Sequence, residues 1–585
     1  MAKKSTAEKL ATIQKGYTLE GAAIELGAAI VDGELHKEAQ VRLPLAMMNR
    51  HGLVAGATGT GKTVTLHVMA EQLSAAGVPV FLADIKGDLS GLATAATGSD
   101  KLTARTESIG QAWQGRTFPV EFLALGGDGN GVPVRATVTS FGPILLSRIM
   151  ELNDTQESSL QLVFYFADKN GLELIDLKDL RAVIQFLTSP EGKDQLEELG
   201  GLSKATAGVI LRELVNLEAQ GLEKFFGEPE FDTAELLRTA PDGRGVVTCL
   251  ELPTLQTKPM LFSTFLMWLL AELFEDLPEA GDLDKPKLVF FLDEAHLLFN
   301  DASKAFLEAI TTTVRLIRSK GVGIFFVTQT PKDVPAEVLG QLANRVQHAL
   351  RAFTPEDAKA LKATVSTFPM SDYDLEETLT SAGIGEAVIT VMNEKGAPTP
   401  VAHTRLRAPE SVMGPSDEAL VRSTVAGSSL LAKYGTGVDN PSAYEKLTGK
   451  AAAPTGPAAP GEPPVPGTGS HGAGGHGAGG HGAGATGGVP GGAADVDAEA
   501  RRIEEEILGR PSSRPAPTRS SGRRAPADVP RTARQESGGG AMGDLGGVLG
   551  GALGGGLKSM ARSIGTQLGR ELLRGVFGTS SRRRR

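Results

Sequence analysis

Apolar residues recur along this chain in two alternating rhythms. Unbroken runs such as HGLVAG (51–56), VPVFLAD (78–84), VVTCLEL (246–252), LVFFLD (288–293) and GIFFVT (323–328) have the length and composition of strands covered on both faces. Between them, apolar positions spaced at three and four predict helices from Lys62 to about Ala76, Pro259 to Leu277 and Lys304 to Lys320. Strand alternating with helix predicts an α/β fold with a mostly parallel sheet. PVEFLAL (119–125) and VPVRATV (132–138) flank the turn-rich GGDGNG and predict a hairpin. VQHALRAF (346–353) and AVITVM (387–392), the second preceded by a tight turn over 383–386, predict further strands.

From Phe141 to Leu237 the strand rhythm stops. Ile149, Leu152, Leu160, Val163, Phe164 and Ala167, then Leu180, Val183, Ile184 and Leu187, then Leu211, Leu214 and Leu217, outline consecutive amphipathic helices. They predict a helical insertion over 141–240 that divides the core into 51–140 and 241–447. Residues 1–50 hold AAIELGAAIVDG and EAQVRLPL, with Gly27 and Asp32-Gly33 as turn signals, and predict a small N-terminal β cap. Pro, Gly and Ala dominate a low-complexity linker over 448–556, expected to be disordered. It contains a repeated HGAGG unit with His471, His476 and His481, and a short charged helix over 496–508. Over 557–585 an apolar stripe, Leu557, Met560, Ile564, Leu568, Leu572 and Phe577, runs beside Lys558, Arg562, Arg570, Arg574 and four terminal arginines.

Charge changes the reading of that last segment. The 585 residues carry −10, but residues 501–585 hold 17 Lys and Arg against 7 Asp and Glu, a net of +10, which leaves −20 for the first 500. A basic amphipathic helix beside an acidic body is read first as docking on this body or another subunit, and second as lying on an anionic membrane surface. An acidic body also repels a polyanion, so any nucleic acid must meet a local basic patch. One cysteine, Cys249, rules out an internal disulfide framework and fits a cytoplasmic protein. MAKKSTAEKL lacks the apolar core of a signal peptide, and the longest apolar segment, Met260 to Phe274, is interrupted by Ser263, Thr264 and Glu272.

The candidate chemistry sits at strand ends. LVAGATGTGKT (53–63) matches GxxxxGK[ST] between a strand pattern and a helix pattern, so Gly56, Ala57, Thr58, Gly59, Thr60, Gly61, Lys62 and Thr63 form a candidate cradle for ATP. Lys62 suits the β and γ oxygens, Thr63 suits Mg²⁺, and the helix presents its positive end to the same anion. LVFFLDEAH delivers Asp293 to hold Mg²⁺ and Glu294 to polarise the attacking water. Asp84, ending the strand 78–84, faces the ligand crevice of such a sheet and is a further candidate around the metal. Turn chemistry favours the same residues in Asp84-Ile-Lys-Gly-Asp88. Gln329, at the tip of 323–328, is the candidate γ-phosphate sensor. Arg315 and Arg318 lie one turn apart, and either is a candidate for a guanidinium offered to a neighbouring subunit. Asn344 with Arg345, and Arg351, are other polar positions of that kind.

Set side by side, Gly56–Thr63, Asp84–Asp88, Leu288–His296, RLIRSKGVGIFFVTQTPKDVP, LANRVQHALRAFTPEDAKAL, GIGEAV and LLAKYGTGVDNPSAYEKL resemble the HerA-like branch of the additional-strand P-loop ATPases, and within it bacterial YjgR-type proteins. The similarity covers roughly residues 15–450. It implies a RecA-like core, a homo-oligomeric hexamer, ATP hydrolysis between subunits and movement of a polymer, double-stranded DNA, through a pore. Lys62, Thr63, Asp84, Asp293, Glu294, Gln329 and Arg318 match the family's motif positions. HerA helicases proper carry a longer N-terminal β-barrel that contacts a nuclease; here about fifty residues precede the loop, so the resemblance does not extend to a nuclease partner. The alternatives to a DNA motor are a protein-transport or secretion-type ATPase and a nucleotide-controlled binding switch.

Overall fold

A computed structural model describes residues 4–126, 129–197, 200–252, 259–300, 302 and 304–449. The expectations for the linker and the terminal basic helix lie outside these residues, apart from the first two positions of the linker. The described chain forms one twelve-stranded sheet: β1 (Ala23–Val31), β2 (Glu34–Pro44), β3 (Gly52–Ala55), β4 (Val80–Asp84), β5 (Val120–Leu125), β6 (Val132–Val134), β7 (Val247–Glu251), β8 (Leu288–Leu292), β9 (Val322–Thr328), β10 (Asn344–His348), β11 (Glu386–Thr390) and β12 (Ala402–Leu406). Their spatial order is β2-β1-β12-β11-β10-β3-β9-β8-β4-β7-β5-β6. From β10 to β6 every neighbouring pair is parallel, and the α/β expectation holds.

The central strands are apolar throughout because both faces are covered. Helix Lys62–Ala75 packs Leu66, Met69, Ala70 and Leu73 into the core on one face. On the other lie helix Pro259–Asp276, helix Lys304–Ile317 and the helices Val138–Ile149, Asp154–Lys169, Leu177–Thr188 and Lys204–Ala219. Pro259–Asp276 buries Phe262, Phe265, Trp268 and Leu269, as a helix apolar on all sides must. Among the described residues no helix is long and apolar enough to cross a membrane.

Two local expectations change. Residues 119–125 and 132–138, read as a hairpin, include β5 and β6, which pair in parallel with Leu123 opposite Val132. The connection folds back against β5 because Gly131 has no side chain; a Cβ there would stand 2.4 Å from the carbonyl carbon of Leu123. The N-terminal strands extend the main sheet through the antiparallel pair β1–β12. A helix, Thr6–Gly16, precedes them, begun by a capping box between Ser5 and Glu8.

The last turn of Pro259–Asp276 brings Glu272, Glu275 and Asp276 to a cavity of about 730 Å³ shared with Glu230, Asp232 and Lys433. Burial, reinforced by the charges of Glu230, Asp276 and Glu275, pushes Glu272 up to about 8. The folded state therefore keeps a proton that the unfolded chain releases near 4.5, so this contribution to stability is intact below that pH and is lost as pH rises through 8. Glu272→Gln is expected to melt with the native chain at pH 5 and above it at pH 9, by an amount on the order of 2 kcal/mol. Thermal melts across that range check this, and parallel curves would show that Glu272 ionises without penalty.

Candidate functional site

Strand β9 lies between β3 and β8, with Gly52 opposite Phe325 on one side and Phe291 opposite Phe325 on the other. The ends of β3 and β8 are therefore about two strand spacings, roughly 10 Å, apart and point the same way. The loop 56–61 leaves β3 and is tied at both margins: Gly56 N–H donates to Thr328 O (3.2 Å), Ala57 N–H to Ala349 O (2.9 Å), and Gly385 N–H to Thr60 O (3.0 Å). His348 lies under the loop, with Nε2 2.9 Å from Thr65 Oγ1, and a Cβ on Gly56 would come within 2.4 Å of the His348 Cβ, so only glycine fits. Gly61, at φ 115°, turns the chain into helix Lys62–Ala75. Among the described residues, the N–H groups of Thr58, Gly59, Gly61, Lys62 and Thr63 donate to no protein acceptor. Together with the helix end they form a concentration of positive dipole.

Lys62 is buried, and its ammonium donates to Gly56 O (2.8 Å) and Ala57 O (3.3 Å). Burial lowers its pKa, opposed by the charges of Glu294 and Asp293. The lysine of the loop and the acidic pair thus act on each other across β9. Asp293, buried at the tip of β8, is pushed up to about 6 by burial and by the charge of Glu294, against the pull of Lys86 and Lys62. Glu294 adopts φ 46°, a left-handed backbone that costs a non-glycine residue about 1 kcal/mol. The turn is held by Ala295 N–H to Val327 O (2.9 Å) and Leu297 N–H to Glu294 O (2.8 Å). Glu294 Oε1 accepts from Lys86 Nζ. Its Oε2 is buried without a hydrogen bond, although His296 Nδ1 stands 3.2 Å away. Burial would raise the Glu294 carboxyl, but the hydrogen bond and charge of Lys86 outweigh it and hold the group below its ordinary value.

The remaining candidates fall in different places. Asp84 is buried, and its oxygens accept from Gly87 N–H (2.7 Å) and Leu89 N–H (2.9 Å). Through these bonds Asp84 folds the loop that carries Lys86. Gln329 is exposed and directly follows Thr328, whose carbonyl holds Gly56. Arg318 is exposed on the turn Arg318–Lys320, before β9 and so at the opposite end of the sheet from the phosphate loop. Arg345 donates to Thr367 O (3.3 Å). Arg351 is exposed two residues beyond Ala349.

Three neighbours escaped the sequence reading. Lys86 was visible only as part of a turn. Asp333 acts on Lys62 by its charge, accepts from Thr328 Oγ1 (2.8 Å), and closes a capping box with Thr330 whose signature, Thr330-x-x-Asp333, is legible. Arg50 stands close enough to Arg318 for its charge to lower the pKa of that guanidinium, after burial. Among the described residues neither arginine has an ion-pair partner, and Arg50 Nε is buried without a hydrogen bond.

Residues 30–467 match the family model described as Helicase HerA-like C-terminal. The DNA double-strand break repair helicase HerA of Saccharolobus solfataricus is 22% identical over 394 residues, covering 66% of this chain and 69% of that protein. Among solved structures, the plasmid coupling protein TrwB in complex with ADP and Mg²⁺ is 16% identical and covers 69% of this chain and 93% of its own, at a TM-score of 0.46. VirB4 of Thermoanaerobacter pseudethanolicus is 15% identical and covers 66% of this chain and 97% of its own, at a TM-score of 0.41. With the family matched over most of its length, and with a phosphate loop facing an acidic strand tip across an added strand, the chain belongs to the HerA-like family of P-loop ATPases.

Proposed function

We propose that this ATPase is the subunit of a ring-shaped motor, a hexamer, that hydrolyses ATP between subunits and moves double-stranded DNA. The observation that carries the reading is the placement of charge. Lys62, Asp293 and Glu294 converge at one end of β3, β9 and β8, while Arg50 and Arg318, without an ion-pair partner among the described residues, stand at the other end, where in a ring they would meet a second protomer's nucleotide. The DNA part is supported by the relative from Saccharolobus solfataricus, a DNA repair helicase.

In this reading the N–H groups of 58–63 and Lys62 bind the phosphates. Mg²⁺ fits the residues present, because burial and the charge of Glu294 raise the Asp293 carboxyl even against Lys86 and Lys62, a cost that a cation beside it would relieve, and Glu294 Oε2 is buried without a hydrogen bond. Thr63 and Asp293 would hold it, and when bound it supplies charge neutralisation to the triphosphate. Glu294 takes a proton from water as the water oxygen bonds to the γ-phosphorus and the bond to the bridging oxygen breaks, giving ADP and phosphate. Gln329, next to the Thr328 whose carbonyl holds Gly56, would orient that water.

Steady-state ATPase with and without duplex DNA, at several salt concentrations, tests the motor. Duplex is expected to stimulate turnover, with the stimulation fading as salt rises, since contacts to phosphates release counterions. Turnover indifferent to every nucleic acid would favour a protein-transport ATPase or a nucleotide-controlled switch.

A further inference from the structure

Lys86 belongs neither to the phosphate loop nor to the acidic strand tip, yet its ammonium is in contact with Glu294. It rides on a loop with fixed ends: Asp84 holds Gly87 and Leu89, and Ser90 beyond them bonds to Ser416 through Oγ (3.0 Å) and through its carbonyl (2.7 Å). The side chain itself is 47% exposed on a flexible four-carbon stem, so the ammonium can move while the backbone stays. Burial opposes its charge, and the Glu294 hydrogen bond with the field of Asp293 more than restores it. Lys62 lies close enough for the two ammonium groups to repel. Lys62 and Lys86 thus stand among the carboxylates of Asp293 and Glu294, with Asp333 acting on the first lysine and Asp88 on the second. A triphosphate laid along the loop would bring a denser negative charge, with more acceptor oxygens, than the single carboxylate that Lys86 now holds.

We propose that Lys86 is a second phosphate-binding lysine that changes partner, leaving Glu294 for the terminal phosphate of a bound nucleoside triphosphate and so freeing Glu294 to take the proton from water. This rests on the ATPase-motor reading above and adds a device to it. A carboxylate tied to an ammonium is a weak base, so the site stays idle until a terminal phosphate draws the lysine away. On this proposal a diphosphate, which lacks the terminal phosphate, leaves the ion pair in place.

The test is calorimetric binding of ADP and of a non-hydrolysable ATP analogue to the full chain and its variants. Lys86→Met is expected to weaken the analogue about tenfold and ADP by less than about twofold, the loss of one charge-assisted contact made only by the terminal phosphate. Lys86→Arg keeps the charge and is expected to retain most of the preference for the analogue. Glu294→Gln should tighten the analogue several-fold, since no ion pair has to break, and the gain should vanish when Lys86→Met is added, a coupling that a loop-supporting role would not produce. Equal weakening of ADP and analogue by Lys86→Met, or no change in either, overturns the proposal. The two readings fail separately: Lys62-dependent binding that is blind to Lys86 removes only this inference, whereas a native chain that binds neither nucleotide removes both.

Discussion

Glu294→Gln is expected to bind ATP as tightly as the native chain or more tightly and to turn it over about 10²–10⁴-fold more slowly, the range a positioned general base contributes. Gln keeps the size of the side chain and leaves the left-handed backbone at φ 46° as it is. Its amide oxygen still accepts from Lys86. What disappears is the charge and the ability to take a proton, so the loss falls on the chemical step. Lys62→Ala gives the opposite pattern. It removes the ammonium that bridges the loop carbonyls at Gly56 and Ala57, and nucleotide binding itself is expected to fail. Equilibrium binding with single-turnover hydrolysis separates the two variants. A Glu294→Gln chain that lost binding as severely as Lys62→Ala would show the glutamate to be part of the scaffold of the turn.

Much of this arrangement is readable in the chain because it is built from contiguous residues. A parallel strand covered on both faces must be an unbroken apolar run, so β4, β7, β8 and β9 announce themselves, and the polar residue that ends such a run stands at a sheet edge. The loop 56–63 carries its glycines and lysine at fixed spacing, and Asp293-Glu294 follows its strand directly. Nothing comparable marks Lys86. Its importance depends on a loop returning so that an ammonium from one strand tip meets a carboxylate from the next, 208 residues away. Asp84 was legible as an acid at a strand end, but the local backbone captured both of its oxygens, a competition that residue type alone does not decide. β5 and β6 read as a hairpin because two strand patterns joined by a short glycine-rich turn ordinarily lie antiparallel; here the chain returns with Gly131 close against Leu123 and the two strands pair in parallel. The Ser5–Glu8 capping box was a local signal for the first helix that the strand-like residues after it obscured.

Arg318→Ala is expected to leave nucleotide binding intact and to lower turnover by roughly 10³-fold, as removal of an arginine that answers transition-state charge does. The geometry decides how that arginine can act. β9 is seven residues long, so the turn carrying Arg318 is about 20 Å from the Thr328 end where the phosphate loop is bonded, several times the reach of an arginine side chain. Arg50, just ahead of β3, is equally remote from its own site. Two guanidiniums side by side without an ion-pair partner among the described residues repel each other, and an anion brought by a neighbouring protomer relieves that repulsion. The proposed head-to-tail ring would supply such an anion at every interface. Mixing therefore gives the decisive measurement. Lys62→Ala chains keep Arg318 but bind no nucleotide; Arg318→Ala chains bind nucleotide but lack the arginine. Each alone should be inactive, and equal mixtures, assembled after dissociation, should recover up to about a quarter of native turnover, because only interfaces with both halves intact can work. No recovery at any ratio would confine Arg318 to its own protomer, where the length of β9 keeps it from the chemistry.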